Sequence, residues 1–218
     1  MKPFVSGKNL RNLILDFGGV IYQINHLKQI ETFATLGVKD FGELYSQAVQ
    51  SPLFADFECG KITPEKMMET ISRLLDVKDA GREKIIDAWN SILVGFDDDA
   101  VKLIGKLKIR YRLFLLSNTN QLHYNVFIGE YSEKYSADFN KQFEKTYWSF
   151  KIGLRKPDEQ IYRLVMRDNQ LDPEKTLFID DSQQNVTGAE KSGMPAVLLS
   201  KGQRLADIFD ENGNLILH

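Results

Sequence analysis

The sequence is poor in the residues that staple, anchor or export a chain. It holds a single cysteine, Cys59, so no internal disulfide can form and no cysteine metal site can be assembled. That usage fits a reducing compartment, and Cys59 itself reads as an inert structural thiol. No apolar run approaches the roughly 20 residues needed to span a bilayer. The opening stretch MKPFVSGKNLRN lacks the apolar core and small-residue cleavage site of a secretory signal, so the expected location is the cytoplasm. Charge of one sign is not in excess either: 28 Lys and Arg against 30 Asp and Glu leave a net −2. This removes any general electrostatic case for nucleic acid or an anionic membrane as a partner. Internal repeats and low-complexity tracts are missing as well.

What is present is ordinary for a globular protein, with 43% hydrophobic and 27% charged residues. A length of 218 residues suits one large domain, or a core with a modest insert, and is enough to bury a substantial core without disulfides. Four short β-rich runs stand out: Leu13–Phe17, Arg112–Ser117, Thr176–Asp180 and Ala196–Ser200, with Lys145–Ser149 as a weaker fifth. Each is nearly continuously apolar, as expected of strands covered on both faces. Helical patterns over about 102–109, 120–130, 157–169 and 183–192 separate them. The alternation predicts an α/β fold with a parallel sheet wrapped by helices.

Residues 25–100 read differently. They carry few strand-like runs and many helical ones, such as the start Thr63-Pro64-Glu65 and the amphipathic stretch Lys84 to Trp89. A helical stretch of this length is too long for a crossover, and predicts an inserted helical subdomain. Its exit is placed at Gly95-Phe96-Asp97-Asp98-Asp99, where the acids read as a helix N-cap with favourable first-turn charge.

Open α/β sheets bind ligands beyond the carboxyl ends of their strands. At those ends stand Asp16, the pair Ser117-Asn118 and the pair Asp180-Asp181, while Arg155-Lys156 precedes the helix that starts at Pro157. Singly, each has an ordinary explanation as a cap, a turn or a solvated residue. Together they place carboxylates, a hydroxyl, an amide and an ammonium on one rim. Adjacent carboxylates raise each other's pKa unless a cation intervenes. Mg²⁺ takes oxygen ligands, which Asp16 and Asp181 supply. A phosphate beside it would find Lys156 and the Ser117 hydroxyl. An aspartate can then act as the nucleophile.

With those residues in view, the chain resembles the haloacid dehalogenase superfamily, specifically its phosphatase-like branch with a helical cap after the first strand. The motifs, in order, are Asp16-Phe17-Gly18-Gly19-Val20-Ile21, Ser117-Asn118, Lys156-Pro157, and Phe178-Ile179-Asp180-Asp181 with Asn185. The cap run Phe57-Glu58-Cys59-Gly60-Lys61-Ile62-Thr63 is similar too. The resemblance implies a Rossmann-like core over 1–24 and 101–218, with strand one central and a cap over 25–100. It implies Asp16 as nucleophile and metal ligand, and Ser117, Asn118, Lys156 and Gly19 in the phosphate-binding set. Asp181 and the Gly18 carbonyl would be further Mg²⁺ ligands, with Asp180 in the outer shell. The implied activity is hydrolysis of a small phosphorylated metabolite through an aspartyl phosphate.

One position departs from the pattern. Most phosphatases of this family carry a second aspartate two residues after the nucleophile, as general acid and base; this chain has Gly18. Such assistance is worth about 10²–10⁴-fold. Three accounts compete. The substrate could have a good leaving oxygen, as a sugar 1-phosphate does; the chain resembles a bacterial subgroup with sugar-1-phosphate phosphatases that also has glycine here, along with a similar Ser117-Asn118-Thr119-Asn120-x-x-His123 run. Another group, among Asn25, His26 and His123, could stand in. Or catalysis is impaired and the protein binds phosphometabolites or a partner. Haloacid dehalogenation, without metal, is a further alternative that the acidic rim disfavours. Candidates for reading the substrate from the cap are Tyr22, Phe54, Glu58, Lys61 and Trp89.

Overall fold

The structure, a computed structural model, describes residues 9–38, 41–43, 52–77 and 80–216; residues 1–8, on which the reading of the amino terminus partly rests, lie outside it. In chain order the elements are β1 (Asn12–Leu15), β2 (Tyr22–Ile24), α1 (His26–Thr35), α2 (Pro52–Glu58), α3 (Pro64–Leu74), α4 (Arg82–Asn90) and β3 (Leu93–Phe96). There follow α5 (Asp98–Arg110), β4 (Arg112–Ser117), α6 (Gln121–Tyr135), β5 (Lys145–Trp148), α7 (Ser149–Ile152), α8 (Glu159–Asp168), β6 (Thr176–Asp180), α9 (Gln183–Lys191) and β7 (Ala196–Leu198).

Five strands form one parallel sheet in the order β5-β4-β1-β6-β7. The apolar runs become central strands because successive side chains leave on opposite faces and both faces are covered. Leu13, Leu15, Leu113, Leu115, Leu177 and Ile179 feed one core with α5 and α6, while Ile14, Phe114, Leu116 and Phe178 feed the other with α8 and α9. The register sets Leu13 between Leu113 and Leu177, so the carboxyl ends of β4, β1 and β6 finish side by side. A third cluster, around Phe33, Phe57, Met67, Met68, Ile71, Ile85 and Trp89, joins α1 through α4.

The weak fifth strand is present as β5. The expectation of an all-helical stretch over 25–100 needs one correction: β3 lies inside it and pairs antiparallel with β2, Tyr22 opposite Phe96. The run Leu-Val-Gly-Phe is short, contains Gly95 and is only partly buried, so its strand character comes from pairing with a segment about 70 residues away. The acidic exit behaves as a cap: Asp97 accepts from the Asp99 and Ala100 amides. Arg204 bonds Asp97 and Asp99, and Lys134 and Tyr135 bond Asp98. Thr63 likewise caps α3, with Pro64 in its first turn.

The sheet face under β1 and β4 is filled by rings. Phe139 is 1% exposed and packs against Phe17, Phe96, Tyr131, Phe143 and Trp148. Truncating it to Ala is expected to destabilise the protein by about 3–5 kcal/mol in equilibrium denaturation. Leu27→Ala, at a position 69% exposed, should stay within about 0.5 kcal/mol. Similar losses for the two would show that the ring cluster is not packed as described.

Candidate active site

The turn after β1 builds the centre of the rim. Asp16 continues the sheet, its amide donating to the Ile179 carbonyl. Phe17 then plants its ring among Tyr22, Phe96, Phe127, Phe139 and Trp148, and its carbonyl receives the amides of Val20, Ile21 and Tyr22. The Gly19 amide donates to the Tyr22 carbonyl, closing the turn. Gly19 has φ +75°, and a Cβ there would lie 2.0 Å from Asp181 Oδ2. The residue is glycine for both reasons: left-handed backbone and the carboxylate lying across it. Gly18 is different. Its φ is outside the left-handed region, and an added Cβ would meet only Ile24 at 3.9 Å.

Carboxylate oxygens of Asp16, Asp180 and Asp181 lie within 4.8 Å of one another. Lys156, 1% exposed, stands between two of them, its Nζ 2.5 Å from Asp16 Oδ1 and 2.6 Å from Asp180 Oδ2. Asp180 is fully buried and saturated: it also accepts from the Ser182 amide and from Asn185 Nδ2. Asp181 is exposed at the rim. The three acids against one ammonium leave the cluster short of positive charge. Burial, opposed by Lys156 and reinforced by Asp180 and Asp181, raises the Asp16 carboxyl to about 7. Burial and the Asp180 charge raise Asp181. Burial alone would lower Lys156, but the two carboxylates outweigh it and its pKa is raised. An oxygen-only donor set with this excess of negative charge fits a hard divalent cation.

The Ser117 to His123 run lies beside these acids, and most of its polar groups hold the frame. Asn118 Oδ1 accepts from the Lys156 amide and its Nδ2 donates to the Lys156 carbonyl, both at 2.9 Å. The side chain is therefore a two-pronged clamp on the lysine's backbone. Ser149 clamps Thr119 in the same way, donating to its carbonyl and accepting from its amide. Asn120 caps α6 and donates Nδ2 to His123 Nδ1. His123 Nε2 in turn donates to the Trp89 carbonyl, which fixes a neutral imidazole; burial pushes its pKa down to about 4. Ser117 is the exception: among the described residues its hydroxyl makes only a long contact, 3.4 Å, to the Asn118 carbonyl.

A cavity of about 180 Å³ opens between this rim and α2, α4 and β3. Gly18, Ser117, Asn118, His26 and Glu58 line it, with Phe54, Trp89 and Ile92 among its apolar walls. Of the residues expected to read substrate, Tyr22, Phe54, Glu58 and Trp89 line the cavity. Lys61 does not; it pairs with Asp56 at 3.0 Å on the exposed surface. Of the possible substitutes for the missing acid, His123 is locked neutral and Asn25 caps α1, accepting from the Leu27 and Lys28 amides. His26 remains, lining the cavity within electrostatic reach of Asp181. Sequence reading passed over Ser149, whose clamp carries no local signal because its target, Thr119, is 30 residues away.

Known proteins are similar to this chain in sequence and in fold. The chain matches the family model described as haloacid dehalogenase-like hydrolase over residues 10–193. It is 30% identical over 184 residues to D-ribitol-5-phosphate phosphatase of Bacteroides thetaiotaomicron, covering 81% of this chain and 85% of that protein. Among solved structures it resembles a haloacid dehalogenase family enzyme of the same organism, in complex with magnesium and inorganic phosphate. Identity there is 30%, with a TM-score of 0.84 over 92% of this chain and all of that one. A predicted hydrolase of the family from Porphyromonas gingivalis is 32% identical, with a TM-score of 0.78 over 89% of this chain and 93% of its own. A family-model match over residues 10–193, with a relative 30% identical over most of both chains, places this protein among the haloacid dehalogenase-like hydrolases.

Proposed function

We propose that the protein is a Mg²⁺-dependent phosphomonoester hydrolase acting on a small polyol or sugar phosphate, with Asp16 as nucleophile. The observation that carries this reading is the Asp16–Lys156–Asp180 arrangement with Asp181 beside it: buried acids, one ammonium and a deficit of positive charge. The relative that acts on D-ribitol 5-phosphate, and the magnesium and phosphate bound by a similar enzyme, support it. In this reading the cap spans 25–100 over a core of 1–24 and 101–218, with β2 and β3 at the junction.

Asp16 and Asp181, with the Gly18 carbonyl, would hold the cation, which when bound offsets negative charge on the phosphoryl group. Lys156 holds Asp16 in position and neutralises charge where carboxylate and phosphate meet. The Ser117 hydroxyl is free to donate to a phosphoryl oxygen. Asn118 acts through Lys156, because its side chain is already spent on that residue's backbone. Gly19 serves the turn and the close approach of Asp181. An Asp16 oxygen attacks phosphorus and the ester oxygen leaves with the bonding pair. Water then attacks phosphorus, breaks the aspartyl phosphate, and returns Asp16 with inorganic phosphate. No side chain at position 18 delivers a proton to the leaving oxygen, which favours a sugar 1-phosphate, with its more acidic anomeric oxygen, over a polyol phosphate, whose alkoxide leaves less readily.

Asp16→Asn should lower Mg²⁺-dependent phosphate release by about 10³-fold or more, assayed over a panel of polyol and sugar phosphates with and without EDTA. Release that survives the substitution, or halide release from haloacids without metal, would overturn the reading. Asn118→Ala should lower kcat/KM by about 10–100-fold through a displaced Lys156, with Asn118→Asp, which keeps the acceptor half of the clamp, in between. Wild-type kinetics in both variants would refute the positioning role. Gly18→Asp has steric room and should fold. It is expected to accelerate simple alkyl phosphates by about 10-fold or more and p-nitrophenyl phosphate least; an equal effect on all substrates would reject the leaving-group account.

A further inference from the structure

The cavity has a polar wall that the chemistry at phosphorus does not use. Helix α2 ends at Glu58, and the chain then crosses α7 so closely that a Cβ on Gly60, φ +69°, would lie 2.1 Å from the Phe150 carbonyl oxygen. This seats the segment after Glu58 on the backbone beside the rim. Glu58 Oε2 comes within 2.9 Å of Arg155 Nε, the residue before Lys156. The two are in ionic contact but out of line for a hydrogen bond, and neither buried atom has a hydrogen-bond partner among the described residues. The Glu58 side chain keeps 29% of its surface exposed, and it lines the same cavity as Gly18, Ser117 and Asn118.

A carboxylate only accepts hydrogen bonds, and a buried one left unsatisfied is costly. Oε2 is closed off against Arg155 and cannot meet a ligand, so a donor brought into the cavity would be taken by the part of the Glu58 carboxyl that stays exposed there. Arg155 cancels the charge of Glu58, so the pair as a whole favours an uncharged donor. Phe54 and Trp89 offer apolar faces opposite. A cavity of about 180 Å³ has room for a short hydroxylated chain. We propose that Glu58 is a specificity-determining residue that accepts a hydrogen bond from a hydroxyl of the substrate's alcohol portion, selecting polyhydroxylated phosphomonoesters. This rests on the phosphatase reading of the rim. Because Glu58 touches Arg155 and Arg155 adjoins Lys156, occupancy of the hydroxyl site also braces α2 against the loop that carries the lysine.

The test compares a five-carbon polyol phosphate with p-nitrophenyl phosphate, whose leaving group has no further hydroxyl. In Glu58→Ala the ratio of kcat/KM for the polyol phosphate to that for p-nitrophenyl phosphate should fall by about 10–100-fold, mainly through KM, with Glu58→Gln intermediate. An unchanged ratio would reduce Glu58 to a structural strut, and a loss confined to kcat would make it a proton donor instead; either result overturns the proposal. A second measurement needs no turnover. In an Asp16→Asn background with Mg²⁺, titration calorimetry should show Glu58→Ala weakening the polyol phosphate about 10-fold more than inorganic phosphate. Equal weakening of both ligands also overturns the proposal. Absence of phosphate release by the wild type would instead count against the reading of the rim, and the calorimetric comparison would still decide the role of Glu58.

Discussion

The site depends on one buried ammonium held between two carboxylates. Lys156 has almost no access to solvent, and it sits within hydrogen-bonding distance of Asp16 and Asp180, neither of which is well solvated. Removing a charge from water is expensive, and attraction offsets that only where geometry is good and the remaining valences are filled. Both conditions are met here. Asp180 is saturated by Lys156, Asn185 and the Ser182 amide, and Lys156 is set in place by a clamp on its backbone rather than by its flexible stem. The sheet order makes this possible, since β4, β1 and β6 are neighbours and deliver Asn118, Asp16 and the Asp180-Asp181 pair to adjacent points.

The same arrangement is left electrostatically unfinished. One ammonium cannot neutralise Asp16, Asp180 and Asp181; burial above all, with the Asp180 and Asp181 charges adding to it, raises Asp16 to about 7 against the pull of Lys156. A folded protein tolerates such a cluster only if the surrounding packing enforces it. The rings around Phe17 provide that enforcement, fixing the turn on which Asp16 stands, while Tyr162 and Phe178 pack edge to face below. Rigid support behind and excess charge in front are what a preorganised site for a cation and a phosphoryl group requires, because the field is in place before the ligand arrives.

How much of this could be read from the sequence follows from the range of each interaction. Strands β1, β4 and β6 were legible because burial on both faces leaves an uninterrupted apolar run, and the polar residues that end those runs are conspicuous for the same reason. The rim residues could thus be named before their geometry was known. The β2–β3 pair was not legible, since its strands are three and four residues long and owe their form to each other. The clamp made by the Asn118 side chain was not legible for a similar reason: its partner, the Lys156 backbone, lies 38 residues away and no local pattern points to it. Glu58 and Arg155, nearly 100 residues apart, meet only because Gly60 lets the chain press against α7.

The two adjacent glycines after the nucleophile show that a single motif can mix constraint with freedom. Gly19 is compelled, because any side chain would strike Asp181 and force a left-handed backbone on a residue that resists it. Gly18 is not compelled, because nothing but the tip of Ile24 lies where its Cβ would be. The turn therefore has room for a Cβ at position 18, and the carbonyl there is present with or without a side chain. It follows that glycine at this position is a statement about chemistry rather than packing. The burden of making the alcohol leave shifts from the core to the alcohol itself, and to the groups in the cavity that choose which alcohol enters.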